Sequence, residues 1–567
     1  MDKIRVVLVS AFILVSFILA SEFAQFKNSH DREQVAEKYS ASNANEKNSQ
    51  DIPLLEQNDS IEEKPSSDAV TAKTINVKTD ALNVTIDLFG GDLINISLPK
   101  YLMRSDTPNI PFELLEKSSH RTYIAQSGIT GKNATDLSAK DRPVFKSAKS
   151  SYTLADNKDS LSIDLTFQQN DVSIIKRFTF TRGSYLINVE YIIDNHGNTP
   201  WEGALYGQIK RDDSKDPSLE NGGKAGATPY LGFATTTDDE RFKKIKFKEI
   251  DENKTSENTH KGGWIAMIQH YFLSAWIPDA SQDNKYSTIK SKTGFYLARF
   301  RSTTQTIKPG EKGTLQASFY AGPKNQYVLE KISEGLDLSV DYGVLWMIAQ
   351  PLYALLYFFN KGDLHAFGTM THIFGGIGNW GFSIILLTLF VKACFFTLNA
   401  KAYNSMAKMR AIQPKMLEIR ERYADDKQQQ SKEIMSLYSK EGVNPLGGCL
   451  PIFIQMPVFL SLYWVLQESV ELRQAPFIGY IHDLSSMDPY FIMPVIMGIS
   501  MFVQQKLNPP PPDPMQAKVM QFLPFVFTFF FAFFPSGLVL YWIVNNVLSI
   551  TQQWIITRRI EANIAKK

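Results

Sequence analysis

Residues 516–556 read QAKVMQFLPFVFTFFFAFFPSGLVLYWIVNNVLSITQQWII, and how this run divides decides the fold. A membrane-spanning helix needs ~20 apolar residues, so the run is too long for one crossing. Pro535-Ser536-Gly537 interrupts it with turn-forming residues. The run is therefore predicted to form two helices, 516–534 and 538–557, joined by a tight hairpin. Working outward, further apolar runs cover 379–400, 449–467 and 489–507. The N-terminus adds one more: Met1-Asp2-Lys3-Ile4-Arg5 precedes an apolar stretch from Val6 to Ala20. A cleaved signal peptide is one reading of it. Cleavage after Ala20 would place Ile18 where a small residue is wanted, so an uncleaved anchor over 1–26 is the expectation. That makes six spans.

Charge gives these spans a direction. The segment 399–448 carries nine Lys or Arg residues, whereas 468–488 carries only Arg473. The tail holds Arg558, Arg559, Lys566 and Lys567, and Lys3 and Arg5 flank the first span. Six alternating spans put every basic segment on the cytoplasmic side, as the positive-inside rule requires. Both termini are then cytoplasmic, the loop 508–515 is inside and 468–488 is outside. Residues 342–360 are apolar but interrupted by Trp346, Gln350, Pro351, Tyr353 and Tyr357. A span there would invert every later loop, so an amphipathic helix lying on the outer surface is predicted.

The whole-chain averages conceal this division. With 567 residues, 60 Lys plus Arg and 58 Asp plus Glu, the net charge indicates no partner. The mean hydropathy of −0.18 is that of a soluble protein. Yet 21–341 is polar and 342–557 holds the long apolar runs, which excludes a purely soluble, fibrous or wholly disordered chain. Cys394 and Cys449 both fall at or inside expected spans, so no disulfide staples the exported part.

Residues 27–73 are polar and poor in aromatics, the composition of a disordered tether. From Thr74 the pattern changes to period two. Val84, Ile86 and Leu88 alternate with polar residues, as do Leu161, Ile163, Leu165 and Phe167, and Ile187, Val189, Tyr191 and Ile193. An all-β sandwich or barrel is expected over 74–335. His120, His196, His260 and His270 show no metal-ligand spacing, and no nucleophile elbow or nucleotide-binding glycine pattern occurs. A paired-carboxylate site remains open among the many acids.

In the membrane half, Lys392 lies just past the middle of the expected span 379–400. No Asp or Glu lies inside the five carboxy-terminal spans, which argues against a proton-coupled transporter. Lys392 either snorkels to the interface or lines a hydrated cavity. Thr388 sits one turn away on the same face. Gln455, Ser383, Asn545 and Asn546 would line such a cavity or bond between helices. The cytoplasmic segment 401–446 reads as two helices, 402–423 and 427–441, turning at Asp425-Asp426. Met406, Met409, Met416 and Tyr423 recur at helical spacing there. They either close an ordinary hairpin or, because Met adapts to varied apolar partners, receive unfolded apolar segments.

Several longer motifs occur in order. They are Gly262-Gly263-Trp264-Ile265-Ala266-Met267-Ile268-Gln269-His270-Tyr271-Phe272, Asn379-Trp380-Gly381-Phe382-Ser383, Asn444-Pro445-Leu446-Gly447-Gly448-Cys449-Leu450-Pro451 with Gln455-Met456-Pro457, and Phe534-Pro535-Ser536-Gly537-Leu538. Together they make the chain resemble the YidC/Oxa/Alb family of insertases, over essentially its whole length. The resemblance implies a β-supersandwich exported domain used for contacts, and a five-helix core with a hydrophilic groove. It implies a non-enzymatic insertase and chaperone of the Gram-negative inner membrane, working alone or with the Sec translocon and its accessory subunits. Implied partners are nascent membrane proteins, the ribosome and membrane lipids; no small-molecule cofactor is implied. The family's groove cation is usually Arg; the matching position here is Lys392. Substrate-contacting positions map onto Thr388, Tyr541 and Trp542. Rival readings are a membrane-anchored carbohydrate-active enzyme and a small-anion transporter built on Lys392.

Overall fold

A computed structural model of the chain describes residues 74–132, 134–136, 141–219, 229–255, 257–366, 369–442, 450–508 and 514–565. The expected anchor 1–26, the tether 27–73, most of the loop 508–515, the motif residues 444–449 and the last two lysines lie outside them.

The alternation read from the sequence produces two large sheets. One, of 11 strands, runs in space from 258–261 through 283–290, 296–302, 201–211, 122–130, 111–117, 92–102, 83–87 and 74–78 to 151–153, with 305–307 added beside 201–211. The other, of nine strands, runs from 243–245 through 232–235, 265–268, 272–278, 312–323, 186–195, 172–181 and 160–169 to 146–147. Neighbours are antiparallel except 74–78 with 151–153. Ile75 and Val77 point inward while Thr74, Asn76 and Lys78 face out, the period-two signature of a strand with one wet face. The sheets pack face to face. Phe112 of the first stacks on Phe272 of the second with centroids 4.1 Å apart, and the Tyr123 hydroxyl meets Ser274 Oγ at 2.7 Å.

The strand 265–268 is buried on both faces. A short helix, α1 (Phe247–Asp251), precedes it, and α2 (Gln326–Ile332) covers its outer side. The Trp264 indole N–H there donates to the carbonyl of Glu334 at 3.0 Å. Gly263 turns into this strand with φ of +81°, a conformation that favours glycine. Two carboxylates buried between the sheets, Asp92 and Asp136, both receive the Arg142 guanidinium, at 2.5 and 2.7 Å. These acids are thus tied into an ionic core, as buried charges must be.

The helical half follows: α3 (Trp346–Lys361), α4 (Trp380–Cys394), α5 (Phe396–Ala411), α6 (Gln413–Arg422), α7 (Lys427–Lys440), α8 (Leu450–Glu468), α9 (Ile492–Leu507), α10 (Pro514–Phe531) and α11 (Ser536–Ala565). Asn379 caps α4, its side-chain oxygen accepting from Phe382 N–H at 3.2 Å. Gly381 admits the Phe477 ring, which would lie 2.0 Å from a Cβ. The Pro535-Ser536-Gly537 turn separates α10 from α11 and is anchored on the loop 468–488. Ser536 N–H donates to Ser486 O at 2.7 Å and Gly537 N–H to Leu484 O at 2.9 Å.

Two differences from the sequence reading concern length. The expected continuous helix 379–400 is broken: α4 ends at Cys394 and the chain bends by 67° into α5. Also, the helix over Gly343–Lys361, expected to lie on the surface, is the only unbroken one among the described residues long and apolar enough to cross a membrane by length and composition. α9 is shorter, at 16 residues, and α8, 19 residues long, carries Pro457 within it.

Candidate functional site: a polar seam between apolar helices

The long helix α11 packs against α4, α5, α8 and α9. It carries Asn545, Asn546, Ser549 and Gln553, all buried, while Thr551 and Gln552 between them are not. Positions 545, 549 and 553 repeat every four residues and so share a face. Each finds a polar partner. Asn545 Oδ1 accepts from the Gln455 amide of α8. Asn546 Nδ2 donates to Ser500 Oγ of α9 at 2.9 Å. Lys392 Nζ of α4 donates to Ser549 Oγ at 2.7 Å. Gln553 Nε2 donates to Leu507 O and Asn508 Oδ1 at 3.2 and 3.0 Å.

Lys392 is half-buried and, because α4 stops at Cys394, it sits in the last helical turn, not in the middle of a continuous span. The unpaired carbonyls and negative end of the helix dipole favour a cation there. Among the described residues it makes no ion pair with a carboxylate. Thr388 is buried one turn earlier, its hydroxyl donating to Ile384 O at 2.7 Å. Tyr541 and Trp542 lie eight and seven residues before Ser549. Trp542 packs edge-on against Phe459 at 4.7 Å, and its buried indole N–H has no hydrogen-bond partner among the described residues. The Tyr541 ring lies 6.5 Å from Phe459. From Tyr541 to Ser549 the seam extends roughly 12 Å along α11. Five of the predicted residues therefore fall on one seam, and Thr388 adjoins it. Ser549 and Gln553 were missed, although their four-residue spacing from Asn545 marked them; Ser500, on α9, was missed with no such signal.

In the hairpin, Asp426 caps α7 by accepting from Gln428 and Gln429 N–H at 3.0 and 2.9 Å. Met416, Ile412 and Tyr438 form its small core, with Met409, Ile434 and Leu437 packed on it. The Tyr438 hydroxyl donates to Met416 Sδ at 3.1 Å. Tyr423 is half-buried at the turn. Met406 is separated from them: it is buried on α5, which packs against α8 and α11. The hairpin's exposed large apolar side chains are instead Leu417 and Met435.

At the opposite end, α3 lies against α4 and α8. Trp464, near the end of α8, packs on Gly343, where a Cβ would lie 3.7 Å from the indole. In the amide orientation that satisfies it, the Asn360 side-chain oxygen accepts from Asn379 and Trp380 N–H at 3.2 Å each. Just beyond α8, Glu471 accepts from Asn325 Nδ2 at 2.8 Å among Tyr327, Tyr342, Tyr353 and Tyr357. Burial pushes its carboxyl up to about 7, against smaller opposing effects of Tyr353, Lys361 and Asn325.

A large two-sheet domain is thus joined to an apolar helical half whose buried polar seam holds no carboxylate among the described residues. The profile described as YidC periplasmic domain matches residues 74–355, and that described as 60Kd inner membrane protein matches 372–563. A "Membrane protein insertase YidC" from Alcanivorax borkumensis is 53% identical, covering 90% of this chain and 87% of its own. Another from Pseudomonas fluorescens is 47% identical over 100% of both chains. The chain belongs to the YidC family of membrane protein insertases. Among solved structures, an active YidC insertase is 17% identical with a TM-score of 0.39, covering 85% of this chain and 92% of its own. A galactose mutarotase-like protein from Lactobacillus casei is 10% identical with a TM-score of 0.29, covering 44% and 99%. The family is one of inner-membrane insertases and not of enzymes, which sets aside the carbohydrate-active reading; its substrates are nascent membrane proteins.

Proposed function

We propose that the seam on α11 is the insertion groove, reached by client chains from the cytoplasm and from the lipid. The observation that carries this reading is the Lys392–Ser549 contact beside Gln455–Asn545, a hydrogen-bonding track among apolar helices without a carboxylate to neutralise it. A polar client tail crossing there exchanges water for seam hydrogen bonds instead of entering hydrocarbon unsatisfied. Lys392 attracts acidic residues of that tail, strongly because the surroundings are of low dielectric. Thr388, Tyr541 and Trp542 flank the passage. Leu417 and Met435, with Met409, Met416 and Tyr423 behind them, present the hairpin to emerging apolar segments. Met406 braces α5.

The proposed arrangement has six spans with both termini cytoplasmic. The anchor 1–26 crosses first and α3 lies along the outer surface. Two features support the placement of α3. Its ends meet the end of α8 and the start of α4, which alternating spans put on the same side. Its uncovered side presents Val344, Met347 and Pro351, apolar and at helical spacing, as a helix lying in lipid should. The groove works alone or with the Sec translocon and its accessory subunits, receiving chains from the ribosome.

The test is an insertion assay with one acidic-tailed client and its neutralised twin, all variants at equal membrane levels. Lys392→Arg should insert both. Lys392→Ala should impair the acidic client and spare the neutral one, and Lys392→Glu should be worse than Ala. Equal yields across the set would remove Lys392 from the mechanism.

A further inference from the structure

The β-domain does not end where its sheet ends. Its last strand, 312–323, runs directly into Lys324, whose Nζ lies 2.9 Å from Glu468 Oε2 at the end of α8. Both side chains are almost fully buried, 3% and 6% exposed. Lys324 also donates to Ser339 O at 3.3 Å. Beside the pair, His270 Nε2 is 2.9 Å from Gln467 O and 4.0 Å from Glu468 Oε1. Asn325 caps α2 with its oxygen, at 3.0 Å from Val328 N–H, while its amide nitrogen holds Glu471. Tyr327 then packs with Tyr353 and Tyr357 of α3, centroids 5.7 and 5.0 Å away. The exported domain supplies the cation and the amide, and the helical half supplies both carboxylates.

We infer that Lys324 and Asn325 are positioning residues for insertion, acting through α8 by fixing the outer end of the helix that carries Gln455. The inference rests on the groove reading above. Gln455 lies 13 residues before Glu468, roughly 20 Å along the helix. A tilt of about 10° about the anchored end would move Gln455 by roughly 3.5 Å, enough to break its bond to Asn545. Pro457, inside α8, removes a backbone hydrogen bond near Gln455 and leaves that region dependent on such external holding. A buried pair suits the role because losing one partner strands the other charge, whereas replacing both by apolar groups is tolerated.

The experiment uses the full chain, with Cys394→Ser and Cys449→Ser, in lipid nanodiscs with spin labels at Met456→Cys and Val547→Cys, both exposed sites on α8 and α11. Lys324→Met and Glu468→Met are compared singly and together, with Lys392→Ala alongside. Each single variant should broaden the α8–α11 distance distribution and lower insertion per molecule. The double variant should restore both, because it removes the stranded charge and keeps the packing. The inference is overturned if single variants lower the membrane level but keep the parent distances, if distances broaden and insertion is unchanged, or if a folded double variant restores neither. Normal insertion by Lys392→Ala would count against the groove, while the distances would still decide the anchoring.

Discussion

Glu471→Gln isolates one titration at the seat of the exported domain. The amide keeps the shape of the carboxyl and still accepts from Asn325, but it cannot ionise. In the parent, burial lifts the Glu471 carboxyl from 4.5 to about 7. The folded protein thus holds this proton more tightly than the unfolded chain does. Its contribution is fully present below pH ~4.5, declines through the interval, and is lost once pH rises past ~7. The shift corresponds to at most ~3 kcal/mol. At about 2–4 °C per kcal/mol for a cooperative unit of about 150–250 residues, the parent should lose up to ~10 °C of apparent melting temperature relative to the variant between pH 5 and 8. The measurement is paired thermal unfolding of both proteins in one detergent, the readout being the difference between them. Only that difference is informative, because other groups titrate equally in both. Parallel curves would refute the account of Glu471 as a buried acid that ionises only as pH rises through about 7.

Topology is checked with impermeant thiol labelling in a chain carrying Cys394→Ser and Cys449→Ser. A Cys at Ser431 should label only from the cytoplasmic side, and one at Ser486 only from outside; Ser486 is the better reporter because Ser485 is buried against Asp483. Labelling of position 431 from outside would refute the six-span arrangement. Replacing residues 408–440 by a short Gly/Ser loop should abolish insertion while leaving the protein in the membrane; normal insertion would reduce the hairpin to a connector. Leu417→Asp with Met435→Asp should weaken client crosslinking to the hairpin without altering its helicity, since both side chains are exposed.

Legibility in the sequence followed the range of the forces involved. Strand faces were readable because alternation is local, and Ile187, Val189, Tyr191 and Ile193 are all buried as expected. The caps at Asn379 and Asp426 and the Pro535-Ser536-Gly537 turn are local too. The break after Cys394 was not readable, for no Pro or Gly marks it and the apolar run continues through Phe395 and Phe396. It accompanies the packing of α5 on α8 and α11, a tertiary cause. The partner of Lys392 lies 157 residues away in the chain. Lys324 reads as the end of a strand and Glu468 as the end of a span, so nothing local pairs them. Met406 and Met416 share a spacing, yet a helix break at Ile412 sends them to different neighbours.

The strap-like course of α3 has a mechanical consequence. It joins the outer ends of α4 and α8, while their other ends are bridged more lightly, by α5, which packs on α8 less extensively than α3 does. On the proposed orientation the bundle behaves like a bellows with a stitched outer edge, spreading only from within. A client would then be accommodated by displacement at the cytoplasmic mouth while the outer rim stays closed. Such a one-sided compliance would let a polar segment enter without opening a continuous water path, and so without discharging the ion gradients across the membrane.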